Sequence, residues 1–192
     1  MLEGAESVLE PCKFAGFDAL KKVRLEKKYR PRELDEKLRF ERTRCEARLL
    51  HKAKEAGVLC PHVFAIGKDS IIVERIAGKT LNRIGKIDGK VYSDAGKILS
   101  KLHSANIVHG DYTTANLMFD SKKLQVIDFG LGFVSSEIED KAVDLLTFVD
   151  SVNSEAGEKF LAGYSLHGDR KVMAKMNEIE SRARYKKRKQ TE

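Results

Sequence analysis

Two short segments hold the residue types that phosphoryl transfer requires: His109-Gly110-Asp111-Tyr112-Thr113-Thr114-Ala115-Asn116, and Val126-Ile127-Asp128-Phe129-Gly130. A carboxylate must orient the attacking hydroxyl or water, and oxygen ligands must hold Mg2+ against the nucleotide phosphates. Asp111 suits the first task, Asn116 and Asp128 the second. Four residues separate Asp111 from Asn116. A hairpin between the two segments would return Asp128 beside Asn116, so that both face one cation. Turn-capping would explain either aspartate alone, but two linked segments at this spacing go beyond it.

The elements that must position these groups are legible in the pattern. Val91, Ala95, Ile98, Leu99, Leu102 and Ala105 have helical spacing and predict a buried-face helix over 91–106. Leu117-Met118-Phe119 and Leu124-Gln125-Val126-Ile127, joined by Asp120-Ser121-Lys122-Lys123, read as a hairpin. Beyond Glu139, helices are expected over 141–152, 155–166 and 170 to about 184, the last with Val172, Met173, Met176 and Ile179 inward. Upstream, residues 6–25 predict two or three short strands broken by Gly16 and Asp18. Pro31 then opens a long helical pattern through Leu34, Leu38, Cys45, Leu49, Ala53 and Ala56, as one helix or two in tandem, stopped by Gly57. Strands near 62–66 and 70–76 flank a Gly67-Lys68-Asp69 turn, and Leu81, Ile84 and Ile87 mark only a short segment. The result is an α+β chain: a small β-rich lobe with a long helix, then a mainly helical lobe carrying a hairpin.

The two segments resemble the catalytic loop H-x-D-x-x-x-x-N and the metal loop D-F-G of the protein-kinase-like superfamily. That resemblance implies a minimal bilobal protein-kinase-like fold, with lobes at 1–77 and 78–181 and a basic tail at 182–192. It also implies a strand lysine reaching the nucleotide phosphates, held by a helix glutamate. Lys21 and Lys22 point to opposite faces of a strand, so only one can serve. Lys22 is the choice and Lys21 the fallback. Glu46, set among apolar turns, is the expected partner, ahead of Glu41. The hinge is placed at 73–76, where the backbone of Glu74 and Ile76 can meet an adenine edge. No G-x-G-x-x-G is present; Gly4-Ala5-Glu6-Ser7 stands in for the phosphate-covering loop. His109 is expected to be a scaffold residue beside the metal loop, not a base.

At a finer level the chain resembles the atypical kinase/ATPase subunit of the KEOPS (EKC) complex, the PRPK-type family. The matching segments are Gly4-Ala5-Glu6, Lys22-Val23-Arg24 with Lys28-Tyr29-Arg30, Arg42-Thr43-Arg44-Cys45-Glu46-Ala47-Arg48, the Asp111 loop, Glu139-Asp140-Lys141-Ala142-Val143-Asp144 and the basic run over 182–189. The resemblance implies an ATP- and Mg2+-dependent protein, with Mn2+ as an alternative ion. Such a protein works beside the threonylcarbamoyl-transferring subunit and other KEOPS subunits to make N6-threonylcarbamoyladenosine at position 37 of certain tRNAs. It further implies Asp111 as catalytic carboxylate, Asn116 and Asp128 as metal ligands, Lys22 and Glu46 as the phosphate-anchoring pair, Glu6 in the reduced phosphate loop and Asp144 as a brace for the catalytic loop.

Two departures from ordinary protein kinases bear on mechanism. Thr113 stands two residues after Asp111, where many serine/threonine kinases place a phosphate-neutralising lysine, so slow transfer is expected. Thirteen residues separate Gly130 from Asp144, with no A-P-E. That leaves little chain to dock a peptide and favours water as acceptor. The enzymatic rivals are a RIO-type kinase and an aminoglycoside-phosphotransferase-like kinase, which share the H-x-D-x-x-x-x-N loop. A nucleotide-switched scaffold would not need Asp111, and a plain RNA-binding protein would leave both motifs unexplained.

Composition agrees with this reading. The chain has 192 residues, 42% of them hydrophobic and 34% charged, which suits a folded core and excludes disorder as the main state. Ile71-Ile72-Val73 is far shorter than the roughly 20 apolar residues a membrane helix needs, and the start lacks a signal layout, so a cytosolic protein without membrane contact is expected. Three widely spaced cysteines predict reduced, mostly buried thiols, and no histidine pair has i,i+4 spacing for zinc. The net charge of +7 is uneven: residues 21–54 carry +8, residues 182–192 carry +5, and the rest −6. Two basic blocks suit a polyanion, with tRNA expected at the tail and the long helix.

Overall fold

Alternating side chains draw the first part of the chain into an antiparallel sheet. The computed structural model describes residues 2–3 and 7–189, with side chains over 7–183. β1 (Leu2–Glu3), β2 (Ser7–Phe14) and β3 (Phe17–Arg24) pair in succession. α1 (Arg32–Glu55) follows, then β4 (Val63–Ile66) and β5 (Ser70–Glu74). β5 inserts between β3 and β4, giving the order β1-β2-β3-β5-β4. In this register Lys22 lies opposite Ile71, at the centre of the sheet.

α1 is one helix, which settles the choice between one and two. Acidic Glu33 and Asp35 near its start and Lys52 and Lys54 near its end complement its dipole. Its inward stripe is not the predicted one throughout. Leu34 is exposed, and Asp35 is buried in its place, accepting from the Lys27 N–H and from Arg39 Nε at 2.8 Å. One donor comes from the 25–31 loop and the other from the next turn of α1, so a carboxylate rather than a leucine fits there. Farther along, Thr43, Glu46, Ala47, Leu50 and Ala53 turn inward at i+3 and i+4 steps.

The second lobe begins with β6 (Lys79–Thr80), a short 3-10 turn, and α2 (Gly89–Ser104), capped by the Asp88 side chain on the Lys90 N–H. Next come β7 (Ile107–Val108), β8 (Leu117–Phe119), β9 (Leu124–Val126) and β10 (Phe133–Val134). The predicted hairpin is β8–β9, with β6 added to its edge, while β10 pairs with β7. α3 (Ile138–Asp150), α4 (Ser154–Ser165) and α5 (Arg170–Lys189) complete it. α5 runs about five residues beyond its predicted end, so residues 182–189 continue a helix.

The core of this lobe is aromatic and aliphatic: Tyr112, Phe148, Phe160 and Tyr164 lie among Leu99, Leu102 and Leu145, all fully buried. α2 and α4 approach at backbone distance through glycine. A Cβ on Gly96 would overlap the Phe160 carbonyl, and one on Gly163 would overlap that of Ser93. Of the cysteines, which form no disulfide, only Cys60 is buried; Cys12 and Cys45 are half-buried, contrary to the expectation of mostly buried thiols. Cys12 lies on β2, and Cys45 packs at the edge of the core with its thiol 3.7 Å from the Gly132 carbonyl. No helix is long and apolar enough to cross a membrane among the described residues.

Candidate active site

β3 turns the paired lysines to opposite faces. Lys21 is exposed, whereas Lys22 turns under the sheet and is buried. Lys22 Nζ donates to Glu46 Oε1 and to Asp128 Oδ1, both at 2.7 Å. Glu41, the alternative partner, is exposed on α1 and pairs with Lys37. Burial alone would depress the Lys22 ammonium, but the carboxylates of Glu46 and Asp128 outweigh it and hold its pKa above the ordinary lysine value. Burial likewise disfavours the charged form of Asp128, yet the adjacent Lys22 ammonium and the Gly130 N–H keep its carboxyl below the usual range. Both groups are therefore charged at neutral pH.

Arg24, two residues along β3, was not singled out by the sequence. It is buried, and its Nη2 lies 2.6 Å from Glu46 Oε2. The signal was present in strand alternation, which puts residues i and i+2 on one face. Glu46 is held in place by its helix as well. Arg39 bridges Asp35 to Asp69 in the β4–β5 turn, and Lys68 Nζ meets Glu36 Oε2 at 2.8 Å, fastening the start of α1 to the sheet.

The loop after β7 is shaped from behind by α3. Asp144, almost fully buried, accepts the His109 N–H at 2.6 Å and the Gly110 N–H at 2.8 Å. Gly110 has φ +76°, and a Cβ there would strike the Leu131 carbonyl, so the position requires glycine. His103 Nε2 also approaches Asp144, at 3.3 Å, while its Nδ1 meets the Tyr164 hydroxyl at 2.9 Å. His109 Nε2 faces the Ile127 carbonyl at 3.1 Å and its Nδ1 faces the Asp111 N–H at 3.3 Å. One ring nitrogen donating and the other accepting is the pattern of a neutral imidazole. Burial accordingly pushes the pKa of both histidines down. His109 also packs against Phe129, with ring centroids 4.8 Å apart, and so joins the two loops as a scaffold.

Asp111 is half-buried beyond this brace. The Asn116 amide donates to its backbone carbonyl and to its Oδ2, both at 2.8 Å, which turns the amide oxygen away from Asp111. The hairpin then returns the chain: Leu117 lies opposite Val126, and the Ile127 N–H donates to the Asn116 carbonyl at 2.9 Å. Asp128 follows at φ +59°, a left-handed conformation that aspartate tolerates, with its side chain half exposed. The Asn116 amide oxygen and the Asp128 carboxylate are the hard donors that Mg2+ takes, alongside substrate phosphates. No cluster of three or more His, Cys, Asp or Glu suited to a metal occurs among the described residues. The fit is thus to an ion shared with a ligand, not to a cage made by the protein.

At the hinge, Glu74 ends β5 with its N–H donated to the His62 carbonyl at 2.8 Å, and the Arg75 N–H goes to Asp18. Ile76 lies just past the strand, half-buried. Glu6 lies outside the described residues.

Comparisons with known proteins agree with this architecture. A profile of the RIO domain matches residues 13–147. The "Probable bifunctional tRNA threonylcarbamoyladenosine biosynthesis protein" of Methanosphaera stadtmanae is 42% identical over 192 residues, covering 95% of this chain. The chain spans only 36% of that relative's length. The "Probable serine/threonine-protein kinase BUD32 homolog" of Archaeoglobus fulgidus is 35% identical over 174 residues, 87% of this chain and 88% of its own. Among solved structures, the Rio2 kinase–ADP/Mg2+–phosphoaspartate complex of Chaetomium thermophilum is similar with a TM-score of 0.68 at 13% identity, over 96% of this chain and 70% of its own. The macrolide 2'-phosphotransferase MphH of Brachybacterium faecium gives 0.66 at 18% identity, over 94% and 80%. These two share the fold. With a catalytic-type loop braced from α3 and a lysine–glutamate pair beneath the sheet, the chain belongs to the RIO-domain, BUD32-type family of protein-kinase-like proteins.

Proposed function

We propose that the chain binds Mg-ATP between lobes bounded at about residue 77 and cleaves the γ-phosphate, as the atypical serine/threonine kinase/ATPase of a KEOPS-type assembly supporting N6-threonylcarbamoyladenosine formation on tRNA. The observation that carries this reading is the convergence of Lys22 on Glu46 and Asp128, with Asn116 holding Asp111 within the loop that leads into the hairpin. The names of the bifunctional relatives support the tRNA part, and their greater length supports a partner beside this chain.

In this reading Lys22 anchors the phosphates while Glu46 fixes its ammonium. Asp111 orients the attacking oxygen, with the Asn116 amide keeping its carboxylate in one rotamer. A divalent ion held by Asn116 and Asp128, Mg2+ or Mn2+, would neutralise charge on the phosphate oxygens. The Glu74 carbonyl and the Ile76 N–H meet the purine edge, consistent with the Glu74 N–H being already spent on His62. Glu6 belongs to the reduced phosphate loop. The basic segment 182–192 and the basic face of α1 engage tRNA phosphates, whose counterion release favours clustered Lys and Arg. The thirteen residues between Gly130 and Asp144 favour water as the acceptor over an extended peptide.

The test is ATP turnover with and without the transferase subunit and tRNA, counting phosphoprotein and free phosphate separately. Turnover that rises with both partners and disappears in Asp111→Ala and Asp128→Ala supports the reading. Full turnover in either variant overturns the site.

A further inference from the structure

Glu46 serves two cations at once: Lys22 takes Oε1 at 2.7 Å and Arg24 approaches Oε2 at 2.6 Å. Lys22 and Arg24 lie on one face of β3, and both are buried. Arg24 also borders the metal loop. A Cβ on Gly130 would stand 3.5 Å from Arg24 Nη2, 3.3 Å from Lys22 Nζ and 2.8 Å from Asp128 Oδ1. Both cations therefore flank the same small space at the start of the segment that follows Asp128.

We infer that Arg24 is an electrostatic positioning residue, which offsets the charge of Glu46 so that Lys22 meets the nucleotide phosphates within a group that carries no net negative charge. This rests on the ATP site proposed above. Lys22 with its two carboxylates, Glu46 and Asp128, carries one negative charge toward a polyanionic ligand, and Arg24 brings that set to neutrality. At a buried site that difference is screened less than on the surface and acts on a phosphate chain. It also bears on the other feature of this loop, since Thr113 contributes no charge where many kinases place a lysine. The rigid guanidinium fork has a second effect: by fixing Oε2 it holds Oε1 toward Lys22.

The experiment is calorimetric titration of ATP/Mg2+ and of adenosine into the full chain. It compares the unaltered protein with Arg24→Met, Arg24→Lys and the double variant Arg24→Met/Glu46→Gln, with unfolding temperature followed in parallel. Arg24→Met should weaken ATP about tenfold, the scale of one charge-assisted contact, and leave adenosine unchanged. Arg24→Lys should stay within about threefold of the unaltered protein on the same scale. The double variant restores the net charge of the unaltered set, with Lys22 facing the Asp128 carboxylate alone, and removes the carboxylate that had lost one of its two cations, so it should regain most of the ATP affinity and stability lost in Arg24→Met. A merely structural Arg24 would weaken ATP and adenosine alike, or give a double variant no better than Arg24→Met; either result overturns the inference while leaving the ATP site standing. Failure of the unaltered protein to bind ATP overturns both.

Discussion

Lys22 and Asp128, 106 residues apart in the chain, meet at 2.7 Å. This contact joins the sheet of the first lobe to the loop that follows the hairpin of the second, and it does so with two charged groups. Lys22 has little solvent access, so removing Asp128 leaves a buried ammonium with Glu46, and removing Lys22 leaves the buried Glu46 with Arg24.

Lys22→Met should therefore cost more than nucleotide binding. It removes one of the two cations on Glu46 and the ammonium on Asp128, and breaking a buried pair costs about 3–5 kcal/mol. Arg24 remains on Glu46, which should hold the loss to about 2–3 kcal/mol on the same scale. Urea unfolding measures it, and a change under about 0.5 kcal/mol, the level of an ordinary surface substitution, would contradict the buried-pair account.

Asp144→Asn tests the brace behind the catalytic loop. The amide retains one acceptor but presents an NH2 group to the His109 and Gly110 donors. A loss of about 2–3 kcal/mol is expected, the cost of unsatisfied buried groups. ATP turnover should fall with it, because Asp111 lies one residue beyond the braced segment. Unchanged stability and turnover together would remove Asp144 from that role.

Stability should decline on mild acidification. His103 and His109 are neutral in the fold, with pKa values pushed below the ordinary 6.5 by burial. Below that value the unfolded chain takes up protons that the folded chain refuses. Their contribution is complete above pH 6.5 and is lost as pH falls through the folded values. Asp128, also depressed, follows the same sign at lower pH, below the ordinary 3.8. Thermal unfolding between pH 7.5 and 5 should show a falling midpoint, less steep in His103→Gln; a flat profile would contradict buried neutral histidines.

Gly96→Ala and Gly163→Ala should each destabilise by about 3 kcal/mol or more, the upper end for overpacking, since the added methyl meets backbone and not a movable side chain. A midpoint shift under about 2 °C in thermal denaturation would show that α2 and α4 can separate at little cost.

Much of this site could be read from residue order because its parts are local. Asp111 and Asn116 share one loop, and Asp128 returns by one hairpin, so spacing was enough to group them. Alternation could not choose between Lys21 and Lys22 from the strand itself; the choice depends on which face α1 covers, a tertiary fact. Arg24 follows from Lys22 by alternation, but its partner Glu46 lies on α1, so its role too depends on how the helix packs. The strands β6, β7 and β10 have two residues each, too few for a periodic signal, and exist because the loops around the site bring them together. The apolar stripe of α1 departs from its pattern at Leu34 because a buried aspartate with donors from a neighbouring loop and from its own helix looks, in sequence, like a solvated one.

The fastening of α1 has a consequence for the lysine–glutamate pair. Swinging this helix outward would have to undo Arg39 from Asp69, Lys68 from Glu36 and both cations from Glu46 together, exposing a carboxylate that the fold keeps dry. The lysine–glutamate pair is thus a standing part of the architecture, assembled when the chain folds.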